Sequence, residues 1–322
     1  MPGKRQFEQQ FAALEALREA SEEDRIAQLP KAFTHKNNFI VAKAADLSRE
    51  FNLRDFTPDL LRAFDRFFDN PEKSDPQCWA KNAISRALAA FEYQEPDVFL
   101  RGMRHTQLEP VWGGRSDTAG TLRATCALAL VQCRTMTNDD LLRHLVDLLA
   151  DTDQAVRSEA ARAIEQVGSP SACLLLRARA TLGRDEPDVL GACYGGVLRL
   201  EGVSAIPWVA RFLSTGDDAA GEAALAIAAT HSPESFNVLR KGLNDSSDLW
   251  FRSVLLCAIA LTRQDVATEF LLDQVKSESP DAERALEAIV RSMPTPEVTQ
   301  RLEKLAANNS RLARALSQQS SR

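Results

Sequence analysis

The side chains best suited to holding a metal or attacking a carbonyl are sparse in this sequence: four histidines and six cysteines among 322 residues. His35, His105, His144 and His231 stand far apart and are followed in turn by Lys, Thr, Leu and Ser. A zinc or iron site needs several donors converging on one point, so no metal ligand is assigned. Cys78, Cys126, Cys133, Cys173, Cys193 and Cys257 sit in apolar helical stretches and never as C-x-x-C. Thiols in such surroundings stay protonated and act as small hydrophobes. They are predicted to be reduced core residues, not a disulfide framework and not nucleophiles. With no glycine-rich phosphate loop in a strand context either, no catalytic residue and no cofactor is expected.

One segment gathers groups that could grip a ligand: Glu109-Pro110-Val111-Trp112-Gly113-Gly114-Arg115-Ser116-Asp117. Trp112 offers an aromatic face and Arg115 a fixed cation, Gly113 and Gly114 can take positive φ, and His105 lies just upstream. The same segment also reads as a long connection whose indole closes the end of the core.

The elements that must position these residues are helices. Hydrophobic residues make up 44% and charged residues 26%, ordinary for a globular chain. The formal net charge of -6 is spread evenly, each third of the chain being mildly acidic. That balance argues against nucleic acid and against anionic lipid as partners. The opening MPGKRQFEQQ lacks the apolar core of a signal peptide and no run approaches a membrane span, so a cytoplasmic location is expected. Helical periodicity runs nearly end to end, with no persistent strand pattern. Helix starts recur as a hydroxyl residue followed by Pro: Thr57-Pro58, Ser169-Pro170, Ser232-Pro233, Ser279-Pro280 and Thr295-Pro296.

Aligning second helices on AVRSEAARAI, residues 155–164, exposes a repeat. Val156, Ala160 and Ile164 share a face, and their equivalents are Leu122, Cys126 and Leu130; Val189, Cys193 and Val197; Ala219, Ala223 and Ile227; Phe251, Leu255 and Ile259. The last member advances from 130 through 164, 197, 227 and 259 to Ile289, in steps of 34, 33, 30, 32 and 30. VAKAA at 41–45 and WAKNA at 79–83 extend the array toward the N-terminus. About seven helix pairs result, an all-α solenoid in which one pair cannot bury its own face and neighbours must stack. The expected organisation is one continuous domain: capping helices over 1–34, the repeat array over 35–300, and a capping helix with a frayed tail over 301–322.

The stretch Asp151-x-Asp153-x-x-Val156-Arg157-x-x-Ala160-Ala161 resembles the HEAT repeat family, particularly the short bacterial type also found in phycobilin lyases. Asp117, Leu122 and Arg123 match the pattern, as do Asp248, Phe251 and Arg252, and Lys81 takes the Arg place in another repeat. Val189-Leu190 and Ala219-Ala220 depart from it. The resemblance implies a protein-binding scaffold with arginines paired to turn aspartates. It does not imply iron-dependent hydroxylation, since the His-Glu dipeptides of the hydroxylase built on similar repeats are missing here. The basic groove of HEAT-like DNA glycosylases is missing as well.

In such arrays the second helices line the inner face. The positions expected to point outward there are Ala124, Leu128 and Val131; Ser158, Arg162 and Glu165; Gly191, Gly195 and Leu198; Gly221, Leu225 and Ala228; Ser253, Cys257 and Ala260. Only the second set carries charge. Mid-helix glycines cost about 1 kcal/mol relative to Ala, so something is expected to approach closely, either neighbouring helices or an apolar segment of a partner. The function implied is a non-enzymatic scaffold for another protein, with candidate contacts at His105, Trp112, Gly113, Gly114, Arg115, Gly191, Gly195, Gly221, Leu225 and Ser253. The alternative is a bilin-lyase-like factor holding a tetrapyrrole or other small hydrophobic molecule in the same groove.

Overall fold

The computed structural model describes residues 2–277, 279–307, 313, 314 and 316. The expected C-terminal cap and tail beyond residue 307 therefore lie almost wholly outside the described residues. Two compact units divide the chain, 1–167 and 168–322.

The first unit holds α1 (Pro2–Ala16), α2 (Glu22–Phe33), α3 (Asn38–Glu50), α4 (Thr57–Arg66), the short α5 (Pro71–Ser74), α6 (Trp79–Ala90), α7 (Pro96–Met103), strands β1 (Leu108–Val111) and β2 (Gly114–Asp117), α8 (Gly120–Leu130), α9 (Asn138–Leu148) and α10 (Gln154–Val167). The pairs α2–α3, α4–α6, α7–α8 and α9–α10 place their second helices side by side in the order α3, α6, α8, α10.

The second unit holds α11 (Pro170–Leu182), α12 (Pro187–Glu201), α13 (Ile206–Ala210), α14 (Asp218–Ala228), α15 (Pro233–Asp245), α16 (Leu249–Leu261), α17 (Asp265–Lys276), α18 (Ala282–Arg291) and α19 (Pro296–Ala307). Here α11–α12, α13–α14, α15–α16 and α17–α18 pair, and α12, α14, α16 and α18 adjoin in turn. Each unit is a run of α-solenoid. The described residues thus form eight pairs, one more than the periodicity suggested.

The repeated triplets form the core of each pair, except that Ala219 is only half-buried. Val156, Ala160, Ile164, Leu122, Cys126, Leu130, Val189, Cys193, Val197, Ala223, Ile227, Phe251, Leu255, Ile259 and Ile289 are all buried. Each large aliphatic side chain so placed contributes about 1.5–3 kcal/mol relative to an exposed one. Of the hydroxyl-Pro starts, Ser169 and Ser232 accept the N–H of Ala172 and Ser235 at 3.2 and 3.4 Å. Thr57 does not cap; it stands inside the first turn of α4 and donates to the carbonyl of Arg54 at 2.6 Å.

Helix α13 tightens into a 3-10 turn over Arg211–Thr215, and Gly216 ends it at φ +67°. Two expectations are corrected. The 109–117 segment is not a loop but an antiparallel hairpin, with Leu108 opposite Asp117 and Val111 opposite Gly114. Four residues per strand, one of them Pro110, leave too little alternation to recognise. Cys78 is not in a helix interior but precedes α6 with φ +54°. By length and apolarity alone the helical stretch Pro187–Thr215 could cross a membrane, yet half of its most apolar window is buried inside the protein, as in a core helix.

Candidate functional site

The hairpin tip is the most exposed apolar feature of the first unit. Trp112 is fully exposed at 104% of its reference area, with Val111 about half exposed beside it and Leu108 about half exposed at the base of β1. The indole does not close the end of the core. Gly113 alone takes positive φ (+90°), as at the third position of a type II turn, so the freedom expected of Gly114 is unused.

Beneath the tip lies a buried polar brace. One carboxylate oxygen of Glu109 accepts from the backbone N–H of Gln77 at 2.5 Å, the side-chain amide of Gln107 at 2.6 Å and the hydroxyl of Thr118 at 2.7 Å. Burial alone would raise the Glu109 pKa, but these three donors outweigh it and hold the carboxyl below its usual range. The Gln107 amide also donates to the carbonyl of Asp75 at 2.9 Å. Its oxygen accepts from Lys81 Nζ at 3.1 Å and the Cys78 thiol at 3.2 Å. Lys81 and Asp75 are both fully buried and paired at 3.2 Å, and Asp75 caps α6 through the N–H groups of Ala80 and Lys81.

Two consecutive non-glycine residues, Gln77 and Cys78, are held at φ +57° and +54°. Such residues cost about 1–3 kcal/mol each and persist only where their surroundings dictate them. The brace is that surrounding. Burial pushes the Cys78 thiol up to about 12, and Cys126 and Cys193 likewise, so these thiols are poor nucleophiles.

Two residues expected to face a partner also make contacts within the chain. His105 is half-buried with Nε2 3.0 Å from the oxygen of Gln107, and burial lowers its pKa. Arg115 donates to Glu72 at 2.6 Å and to the carbonyl of Leu108 at 2.5 Å, so its charge pins the hairpin to α5. Gln107, Thr118 and Glu72 were not anticipated. The one sequence signal for Gln107 is its i, i+2 spacing to Glu109, which puts both on one strand face.

At the other end of the hairpin Asp117 accepts the N–H groups of Gln107 and Ala119 at 2.9 and 3.0 Å and the Arg123 guanidinium at 2.6 Å. Burial opposes ionisation there, but these bonds prevail and Asp117 stays charged below the ordinary range. Arg123 then reaches Asp151 of the next pair through two bonds of 2.7 and 3.0 Å, and Arg157 donates to the Asp151 carbonyl at 2.7 Å. Arg252 pairs with Asp281 of the following turn and not with Asp248, which caps α16. Where Leu190 stands in the Arg place, the turn residue Asp185 is met by Arg179 from the first helix.

The inner face is more closed than the outward assignment implied. Ala124, Ser158, Leu198, Gly221 and Ala228 are all buried; α8, which carries Ala124, is flanked by α6 and α10, and α14, which carries Gly221 and Ala228, by α12 and α16. Leu225 is exposed, while Gly191, Gly195 and Ser253 are half-buried. Gly191, Gly195, Leu198, Arg199, Glu222 and Ala226 are among the residues lining a recess of about 390 Å³ at α12 and α14.

The glycines differ in their reasons. A Cβ on Gly191 would stand 2.5 Å from a carboxylate oxygen of Glu222 and 3.1 Å from its Cβ, so a side chain has taken that space. A Cβ on Gly195 would meet only the end of Arg199 at 3.2 Å, and one on Gly221 would touch Val254 and Trp250 at 3.5 and 3.6 Å. Of these three, close approach therefore holds only at Gly191. Gly221→Ala is expected to raise stability by up to about 1 kcal/mol through helix propensity. Gly191→Ala, which must displace Glu222, should lower it by about 1–3 kcal/mol. Thermal melts of the two variants check this, and shifts of the same sign would contradict the geometry.

Stacked two-helix repeats tied by turn aspartates and arginines define an α-solenoid. Residues 114–194, from β2 into α12, match the family model for HEAT repeats, so the chain carries HEAT repeats. No curated protein matches the chain. HEAT repeats commonly build protein-interaction scaffolds.

Proposed function

We propose that the chain is a non-catalytic HEAT-repeat scaffold that binds another protein, with the hairpin tip as its main anchor and the inner faces of the second helices as a wider contact. The observation that carries this reading is a wholly exposed Trp112 on a hairpin whose base is locked by a buried network. A rigid aromatic side chain adds large contact area at small cost in conformational freedom. Tryptophans in that position are common energetic centres of interfaces. The even acidic charge supports a protein partner over nucleic acid.

Trp112→Ala tests the proposal. Affinity capture from the source cell, quantified by mass spectrometry, should lose the partner retained by the wild type, corresponding to about 30-fold weaker binding or more. Melting should be unchanged within about 0.5 kcal/mol, since the side chain supports nothing in the fold. Equal capture by both proteins would sink the proposal.

A second reading, a small hydrophobic ligand at α12 and α14, is favoured by the recess at Gly191 and Gly195. Its volume of about 390 Å³ lies near the lower end of the range of roughly 300–1,000 Å³ for ligand sites. An unchanged visible spectrum on titration with a bilin would remove the tetrapyrrole version.

A further inference from the structure

The outer face of α11 departs from those of the first helices α9, α15 and α17. At the corresponding outward positions α9 shows Arg143 and Asp147, α15 shows Asn237 and Lys241, and α17 shows Glu269 and Asp273. Helix α11 shows Leu174, Ala178 and Leu182, with Leu174 and Leu182 exposed at 66% and 71%. Its opposite face already carries the core residues Cys173, Leu176 and Ala180. A helix that is apolar on both faces is normally covered on both.

We propose that this outer face is the contact between two copies of the chain, which meet through antiparallel α11 helices about a two-fold axis at Ala178. The spacing supports a second copy over an unrelated partner. Leu-x-x-x-Ala-x-x-x-Leu reads the same in both directions, so in an antiparallel pair Leu174 of each copy stands beside Leu182 of the other. The two Ala178 residues face each other and let the helix axes come within about 8–10 Å. A two-fold contact requires this kind of self-complementary patch.

The charges flanking the stripe permit the pairing. Arg177 is bound to Glu201 of its own chain at 3.0 Å, and Arg179 is paired with Asp185. Both arginines of the helix are thus already neutralised within their own copy. The contact is small. Thirteen residues of helix span about 20 Å, which places the buried area at or below about 1,200 Å², the low end for specific complexes. The dimer is accordingly reversible and concentration-dependent.

Sedimentation equilibrium of the full chain tests the contact and its orientation together. The wild-type mass should rise from 35.5 kDa toward twice that value as concentration increases from about 1 to about 500 µM, as a small interface demands. Leu174→Lys alone and Leu182→Glu alone should each hold the protein at the monomer mass with an unaltered circular dichroism spectrum. Combining them should restore the dimer, because each lysine then lies beside a glutamate of the other copy. A wild type that stays monomeric throughout overturns the proposal. So does a combined variant that remains as monomeric as the single ones.

Discussion

Lys81→Met is expected to lower the stability of the first unit by about 3–5 kcal/mol, the usual cost of removing one partner of a buried ion pair. Lys81 has no exposed side-chain surface, and its ammonium is bound by Asp75 at 3.2 Å, the Phe67 carbonyl at 3.1 Å and Gln107 at 3.1 Å. Methionine fills the space but leaves the Asp75 carboxylate buried without its counter-charge. Two acceptors also lose their donor. Urea denaturation followed by circular dichroism measures the change, and a loss below about 1 kcal/mol would falsify the assignment of Lys81 as the counter-charge. Asp75→Asn combined with Lys81→Met should recover at least half of the loss. Asp75→Asn removes the stranded charge and keeps one of the two acceptors that the N–H groups of Ala80 and Lys81 use at the start of α6.

Arg123→Lys is expected to be nearly as damaging, at about 2–3 kcal/mol, although charge is retained. The guanidinium makes four bonds in one plane: two to Asp151, one to Asp117 and one to the His105 carbonyl. An ammonium cannot span these three acceptors at once. A double-mutant cycle with Asp151→Asn isolates the tie between neighbouring pairs and should return a coupling of about 1–3 kcal/mol. Strictly additive losses would mean that Arg123 acts only through Asp117 and the hairpin.

Much of this arrangement is readable before any coordinates. The triplets led by Val156, Leu122, Val189 and Phe251 are core residues because a helix must turn its period-3.6 apolar stripe to its neighbour. The pairing of arginines with turn aspartates follows from the same repeat. The hairpin was not readable, because two four-residue strands joined by Trp112-Gly113 carry less pattern than a single helical turn. The brace was hidden for another reason. Gln107, Thr118 and Glu72 are ordinary surface residue types, and only the chain path brings them to the hairpin, where Gln107 is buried, Thr118 half-buried and Glu72 exposed. Arg179 escaped notice because it replaces a missing second-helix arginine from the preceding helix, a compensation no fixed spacing encodes. The inner-face assignments erred at Gly221 and Ala228 because a helix flanked on both sides buries more than one stripe.

The separation between the tip and its base has a consequence for how such a protein can change. Trp112 stands clear of the core at the tip, with Val111 half exposed beside it, while Gln107, Glu109 and Asp117 hold the hairpin from its base. Trp112 can therefore be exchanged for other residues without disturbing the platform, much as one bit is swapped for another in a fixed chuck. Partner choice and fold stability are set by different residues, and each can be altered while the other stays constant.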